Sequence, residues 1–200
     1  MKRFLLLVAV SIILTAGAAM ASYAEPAYTV IEERDGYEIR SYAAHIVAEV
    51  TTRGTYKSSS SAAFRLLAGY IFGGNVAVGG NKSERMNMTV PVTGTPQDDG
   101  ESEYVWTFYM EPSYTLDTLP KPDNPKVRLV QVEERVVAVK GYSGRNTQEN
   151  FHATRSELGE ALRSAGLEPV GVATAAVYNG PWTLPMFRRN EVLQEVTWDR

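Results

Sequence analysis

The sequence predicts an α+β fold: a curved antiparallel sheet or distorted β-barrel with two flanking helices, built from two strand-helix-strand half repeats. Three observations carry that expectation. Short segments with period-two alternation or aromatic and β-branched enrichment recur along the chain, separated by Gly, Pro and Asp. Two longer stretches, around Phe64 and around Leu158, have helical periodicity. The order of elements then restarts: at one common spacing Gly54 matches Gly141, Phe64 matches Phe151, Val90 matches Val177 and Val105 matches Val192. Two such halves would lay both helices on one sheet, with Phe64 and Phe151 as equivalent buried anchors.

The elements follow in order. Residues 1–24 read as an export signal. Lys2-Arg3 is a basic start, and Phe4 to Leu14 is an apolar run too short to span a bilayer comfortably. Ala19-Met20-Ala21 and Ser22-Tyr23-Ala24 are small-residue cleavage sites, which puts the cut after Ala21 or Ala24. The rest, 25–200, has the length of one domain. Tyr28 to Glu33 and Tyr37 to Tyr42 are strands around the turn Arg34-Asp35-Gly36. His45 to Thr51 is a third, with Ile46, Ala48 and Val50 alternating against His45, Val47 and Glu49; Gly54 breaks it.

Ser58 to Ser61 offer N-caps for the first helix. Phe64, Leu67, Ala68 and Ile71 follow the i, i+3, i+4, i+7 spacing of a core face. Ala63, Leu66 and Tyr70 form a second apolar line, so the stripe is wider than one sheet contact needs. Gly73-Gly74-Asn75 ends the helix. Gly69 within it costs roughly 1 kcal/mol against alanine. With Ala68 it leaves a side-chain-poor patch between Arg65 and Phe72, which suits close helix-sheet packing or a shelf for a flat ligand.

Val76 to Lys82 is a Gly-rich loop, and Arg85 to Thr93 a strand whose Pro91 end belongs at an edge or bulge. Gln97 to Ser102 is an acidic turn, Glu103 to Met110 an aromatic-rich strand, and Glu111 to Pro125 a long proline-rich loop. Val127 to Val132 and Arg135 to Lys140 are strands, the second broken by Gly141. Asn146 caps the second helix, with Glu149 as capping-box partner, Phe151, Leu158 and Leu162 on the inner face, and Gly166 as stop. Ala173 to Tyr178 is a strand, Asn179 to Arg189 a loop, and Glu191 to Trp198 the last strand.

Composition narrows the function. The chain has no cysteine, hence no disulfide, no thiolate ligand and no Cys nucleophile. Its formal charge of −3 becomes −5 once Lys2 and Arg3 leave with the signal, which gives no support to nucleic-acid binding. Two histidines, His45 and His152, stand in no metal-binding spacing, and G-x-S-x-G, P-loop and H-E-x-x-H motifs are absent. No catalytic or metal residue is assigned, and no segment after the signal is long and apolar enough to span a membrane.

Phe64-x-x-Leu67-x-x-Tyr70-Ile71-x-Gly73-x-Asn75, followed by Met88-Thr89-Val90-Pro91-Val92, resembles the SOUL/haem-binding protein family. Tyr37-Glu38-Ile39-Arg40-x-Tyr42, Tyr178-Asn179-x-Pro181 and Arg188-Arg189-Asn190-Glu191-Val192 agree with the same family, in its order, over Tyr28 to Val196. The resemblance implies the same α+β fold and a non-enzymatic protein that binds haem or another tetrapyrrole non-covalently in a hydrophobic groove. Some relatives carry a His inside the Y-E-x-R-x-Y motif, proposed as an axial ligand; here that position is Ser41. His45, four strand residues further, lies roughly 13 Å away. Weak or no axial ligation by protein is therefore expected.

The resemblance implies groove residues as well. Arg65, Ala68, Gly69 and Phe72 share a helix face, with Arg65 available to a propionate. Met86 and Met88 alternate on one strand face and suit the core or an adaptable apolar pocket. Arg188 and Arg189 follow a loop with Trp182, Pro185, Met186 and Phe187, a combination that suits a flat amphipathic anion. The expectation is an exported protein, periplasmic or secreted. The alternative is an effector-binding module for another hydrophobic small molecule, which needs a carboxylate such as Glu103 or Glu111 in its cleft.

Overall fold

The computed structural model describes residues 23–97 and 101–198; the export signal read at 1–24 lies outside them, except for Tyr23 and Ala24. The elements are β1 (Tyr28–Arg34), β2 (Tyr37–Tyr42), β3 (His45–Arg53), α1 (Tyr56–Ile71), β4 (Asn75–Val76), β5 (Val92–Pro96), β6 (Glu103–Tyr109), β7 (Lys121–Pro122), β8 (Arg128–Val132), β9 (Arg135–Tyr142), α2 (Gln148–Ser164), β10 (Pro169–Val177) and β11 (Asn190–Val196). Nine strands form one antiparallel sheet in the order β1-β2-β9-β11-β10-β5-β6-β3-β8, and β4 pairs with β7 apart from it. The large sheet stays open, with β1 and β8 at its edges, so the barrel alternative is not realised.

That order reads the same from both ends once β1 is set aside. β2 leads into β3 but pairs with β9, and β8 leads into β9 but pairs with β3. Each half thus lends its first strand to the other. The pseudo-twofold passes through the β5–β10 pair, where Gly94 faces Ala175. Ala48 opposite Phe108 in one half corresponds to Ala138 opposite Gln194 in the other, and Trp106 corresponds to Val192. One core contains buried residues of both helices, so α1 and α2 cover the same face.

The repeat is real in architecture but not at one spacing, because its loops differ in length. The buried positions of α1, Tyr56, Ser59, Ala63 and Leu67, match Phe151, Thr154, Leu158 and Leu162 of α2. Phe151, 1% exposed, is therefore the counterpart of Tyr56, and the two rings stack across the axis at 6.4 Å. Phe64 is not a buried anchor: it is 47% exposed and meets Phe108 of the sheet edge-on.

Volume explains which arc of α1 turns inward. α1 lies over β6, whose inward side chains are Tyr104, Trp106 and Phe108, all buried. Only small residues fit beneath the helix there, and Ser59 and Ala63 supply them. Ser59 accepts a hydrogen bond from Trp106 Nε1 at 2.8 Å. α2 lies over β9, β10 and β11, where Ala138, Ala173, Ala175 and Val192 leave room for Phe151, Leu158 and Leu162. Interiors pack to crystal-like density, so a bulky strand demands a lean helix and the reverse.

Local corrections have local causes. Thr55 and Thr147, not Ser58 to Ser61 or Asn146, cap the helices: each is extended and accepts a backbone N–H three residues on. Asn146 instead accepts the hydroxyls of Tyr56 and Tyr142. Residues 85–91 form no strand; β5 begins only at Val92. Gly141 lies within β9 rather than ending it. Gly73 turns the chain out of α1 at φ +118°, and buried Asn75 pins the helix end, donating to the carbonyls of Tyr70 and Glu84.

Candidate functional site

The exposed flank of α1 is the feature that sequence reasoning pointed to. Phe64, Ala68 and Phe72 recur every fourth residue on it, with Arg65 and Gly69 beside them. Phe72, the residue that caps the C-terminus of α1, is 49% exposed. A Cβ at Gly69 would meet nothing within 4 Å, so this glycine is not there for close packing against the sheet. Arg85 places its guanidinium 5.7 Å from the Phe72 ring centroid. The structure therefore brings Arg65, Ala68, Gly69 and Phe72 together as an open, flat strip between two half-exposed rings. Phe64 belongs to this strip; its spacing equally fits a core stripe, so the residue pattern alone does not mark it as exposed.

The other expected groove residues are placed differently. Met86 is 6% exposed and sits in the core, its backbone N–H donating to Ile71 O at 2.8 Å. Met88 is half-buried against the same core. Arg188 donates to the carbonyls of Thr183 and Pro181 at 2.8 and 2.6 Å and so holds its own loop together. Arg189 pairs with Glu191 and Glu25 and lies 3.6 Å from the Tyr178 ring centroid. The loop before them presents Trp182, 94% exposed, with Leu184, Met186 and Phe187 also exposed. It is tied to the end of β9, where Gly144 N donates to Pro185 O.

Arg189 is part of a larger cluster on the sheet face away from the helices. Arg40, 6% exposed, grips Glu191 with two nitrogens at 3.1 and 3.2 Å and donates to Tyr42 Oη at 3.1 Å. Tyr178 donates to Glu191 at 2.6 Å, and the Tyr28 ring covers the Arg40 guanidinium at 4.4 Å. Burial first, then the Glu191 charge, pushes the Tyr178 hydroxyl pKa well up, so it stays a donor. Despite burial, hydrogen bonds and charge from Glu191 hold the Arg40 guanidinium firmly protonated. This cluster unites three motifs far apart in the chain, Y-E-x-R-x-Y, Tyr178-Asn179 and R-N-E. Each charge in it is matched, which makes it a structural lock rather than a reactive site.

Haem ligation can be tested against the same geometry. His45 lies on the strand face with Val47 and Tyr109, opposite Ala48 and Val50 beneath α1. Its Nδ1 is within 2.8 Å of Ala43 O, its ring meets Tyr109 edge-on, and burial lowers its pKa. It does not address the α1 strip. Among the described residues, no group of three or more His, Cys, Asp or Glu is arranged to hold a metal ion. The α1 strip combines apolar surface with one cation, a combination that suits an apolar ligand body bearing an acidic group; its residues Phe64, Arg65, Ala68, Gly69 and Phe72 include no side chain of an iron-ligating type.

The comparisons with known proteins agree with the fold. The profile of a family described as SOUL heme-binding protein matches residues 23–195. A search of curated proteins finds no match. Among solved structures, the chain is similar to the C-terminal domain of EcmrR, at 9% identity and TM-score 0.60, covering 85% of this chain and 98% of that one. It is also similar to a hydrolase from Listeria innocua, at 14% identity and TM-score 0.55, covering 84% of this chain and 94% of that one. Identities this low speak for the fold alone.

Proposed function

The chain belongs to the SOUL heme-binding protein family, and on that premise we propose that it is an exported, non-enzymatic protein that holds haem or a related tetrapyrrole on the open flank of α1. The observation that carries the reading is the strip itself: two half-exposed phenylalanines, a glycine with nothing above it, and an exposed arginine on one helix face. A planar macrocycle lies on Ala68-Gly69 between Phe64 and Phe72, and Arg65 pairs with a propionate. None of the residues proposed to hold the ligand would supply a strong iron ligand.

Burying a few hundred Å² of apolar ligand surface gains roughly 25 cal/mol per Å², several kcal/mol before association costs of similar size. Affinity should therefore be moderate and nearly indifferent to the metal. The test is an absorbance titration with haem and with metal-free porphyrin. The two should bind within about tenfold of each other, or about 1.4 kcal/mol. Gly69→Leu should weaken both, and His45→Ala neither. Loss of haem binding alone in His45→Ala would establish iron ligation and end the groove reading. If neither ligand binds, an effector-binding role for another hydrophobic molecule takes its place.

A further inference from the structure

The two halves differ in one place where their symmetry predicts likeness. In the first half the Phe64 ring, half-exposed, lies edge-on to Phe108 of β6 at 5.6 Å. The helix match that pairs Ala63 with Leu158 pairs Phe64 with Gly159, and the strand match pairs Phe108 with Gln194. Where the first half has two aromatic rings, the second has a glycine and an amide. The crevice between α2 and β10–β11 is accordingly open, with a volume of about 520 Å³ and Leu158, Gly159, Leu162, Ala173 and Gln194 in its lining.

Its charges are distributed in a way that suits one class of occupant. Arg163 lies beside Gly159, close enough that a Cβ there would sit 3.6 Å from its guanidinium. It makes no ion pair among the described residues, whereas Arg155, also at the crevice, is engaged by Glu101. Glu160 and Glu168 stand on the rim, likewise without an ion pair among the described residues. Gln194 is buried, its amide nitrogen bonded to the carbonyls of Val170 and Glu195. An apolar slot missing one aromatic ring, whose lining also holds a cation and two carboxylates that make no ion pair among the described residues, complements a ring that carries both charges.

We propose that this crevice binds a free aromatic amino acid, its ring in the place that Phe64 takes in the first half, its carboxylate on Arg163 and its ammonium on the Glu160–Glu168 rim. The site is separate from the α1 strip and does not depend on the tetrapyrrole reading. The probe is L-phenylalanine, titrated into the folded protein and followed by amide chemical shifts. Saturable shifts centred on Gly159, Ala173 and Gln194 are expected. Gly159→Ala, which makes only an ordinary contact with Arg163, should bind within about twofold. Gly159→Phe should lose at least about tenfold, because its own ring fills the slot. That variant should fold, since phenylalanine is the better helix former. Arg163→Gln should cost about fivefold for phenylalanine and nothing for phenylalaninamide. Unchanged binding by Gly159→Phe, equal binding of leucine, or no saturable shift at these residues would overturn the proposal.

Discussion

The exchange of roles between Phe64 and Phe151 makes a sharp quantitative prediction. Phe151→Ala removes a fully buried ring from beneath α2 together with its stack on Tyr56. A well-packed Phe→Ala site loses about 3–5 kcal/mol, the transfer term plus the cavity left behind. Phe64→Ala acts on a ring that is 47% exposed and opens no closed cavity. A phenylalanine covers roughly 150–250 Å², of which about half is sheltered here, so at roughly 25 cal/mol per Å² the expected loss is about 1–2 kcal/mol after the retained Cβ is allowed for. The assay is urea unfolding of each single variant with an unchanged slope, so that midpoints report stability alone. Phe151→Ala should be the less stable by about 1–4 kcal/mol. Equal losses, or a larger loss for Phe64→Ala, would refute the assignment of the inner face of α1. Tetrapyrrole binding should show the opposite order, with Phe64→Ala weakening it and Phe151→Ala sparing it in the folded fraction.

Two further outcomes follow from single groups. Burial raises the Glu101 pKa, but hydrogen bonds from Gln148 and His152 and the Arg155 charge outweigh it and leave the pKa below the usual 4.5. A carboxylate depressed by folding stabilises above its unfolded pKa, and that stability is lost as pH falls through the folded value. Thermal stability should therefore drop below about pH 4.5, and Glu101→Gln should flatten that drop; an identical acid limb in the variant would contradict it. At the other end of the chain, Ala24 O accepts the Val90 N–H at 3.0 Å, and Ala24 bridges Thr89. A cut after Ala24 would strip a partner from a buried N–H, so, on the proposed export, processing should leave Ser22 as the first residue. Intact-mass measurement of protein from its native host decides this, and a chain beginning at Glu25 or retaining Met1 would refute it.

Most of the secondary structure and the family were legible because they rest on local or ordered signals. Strand alternation around His45, glycine stops at Gly73 and Gly166 and the inner face of α2 each depend on residues a few positions apart. The resemblance rests on motifs in a fixed order. The strip on α1 was partly legible too, since Ala68-Gly69 is a gap that helix spacing alone reveals. Met86 and Arg189 were harder: a methionine or an arginine declares its chemistry in the sequence, but its neighbours are brought from Ile71, Glu25 and Tyr178.

By itself the sequence determined an α+β chain of two similar halves, its helices and most of its strands, and the family to which it belongs. Only the tertiary structure decided which residues of α1 face inward, because an apolar stripe wider than its contact leaves more than one arc eligible, and the volume of the facing strand makes the choice. β6 brings Tyr104, Trp106 and Phe108, so Ser59 and Ala63 turn in and Phe64 turns out; β10 and β11 bring alanines and a valine, so Phe151 turns in. The same holds for the exchange of β2 and β8 between halves and for the meeting of Arg40 with Glu191, 151 residues apart. No local pattern encodes such pairings, since they are selected by the packing and charge of partners that only the folded chain brings together.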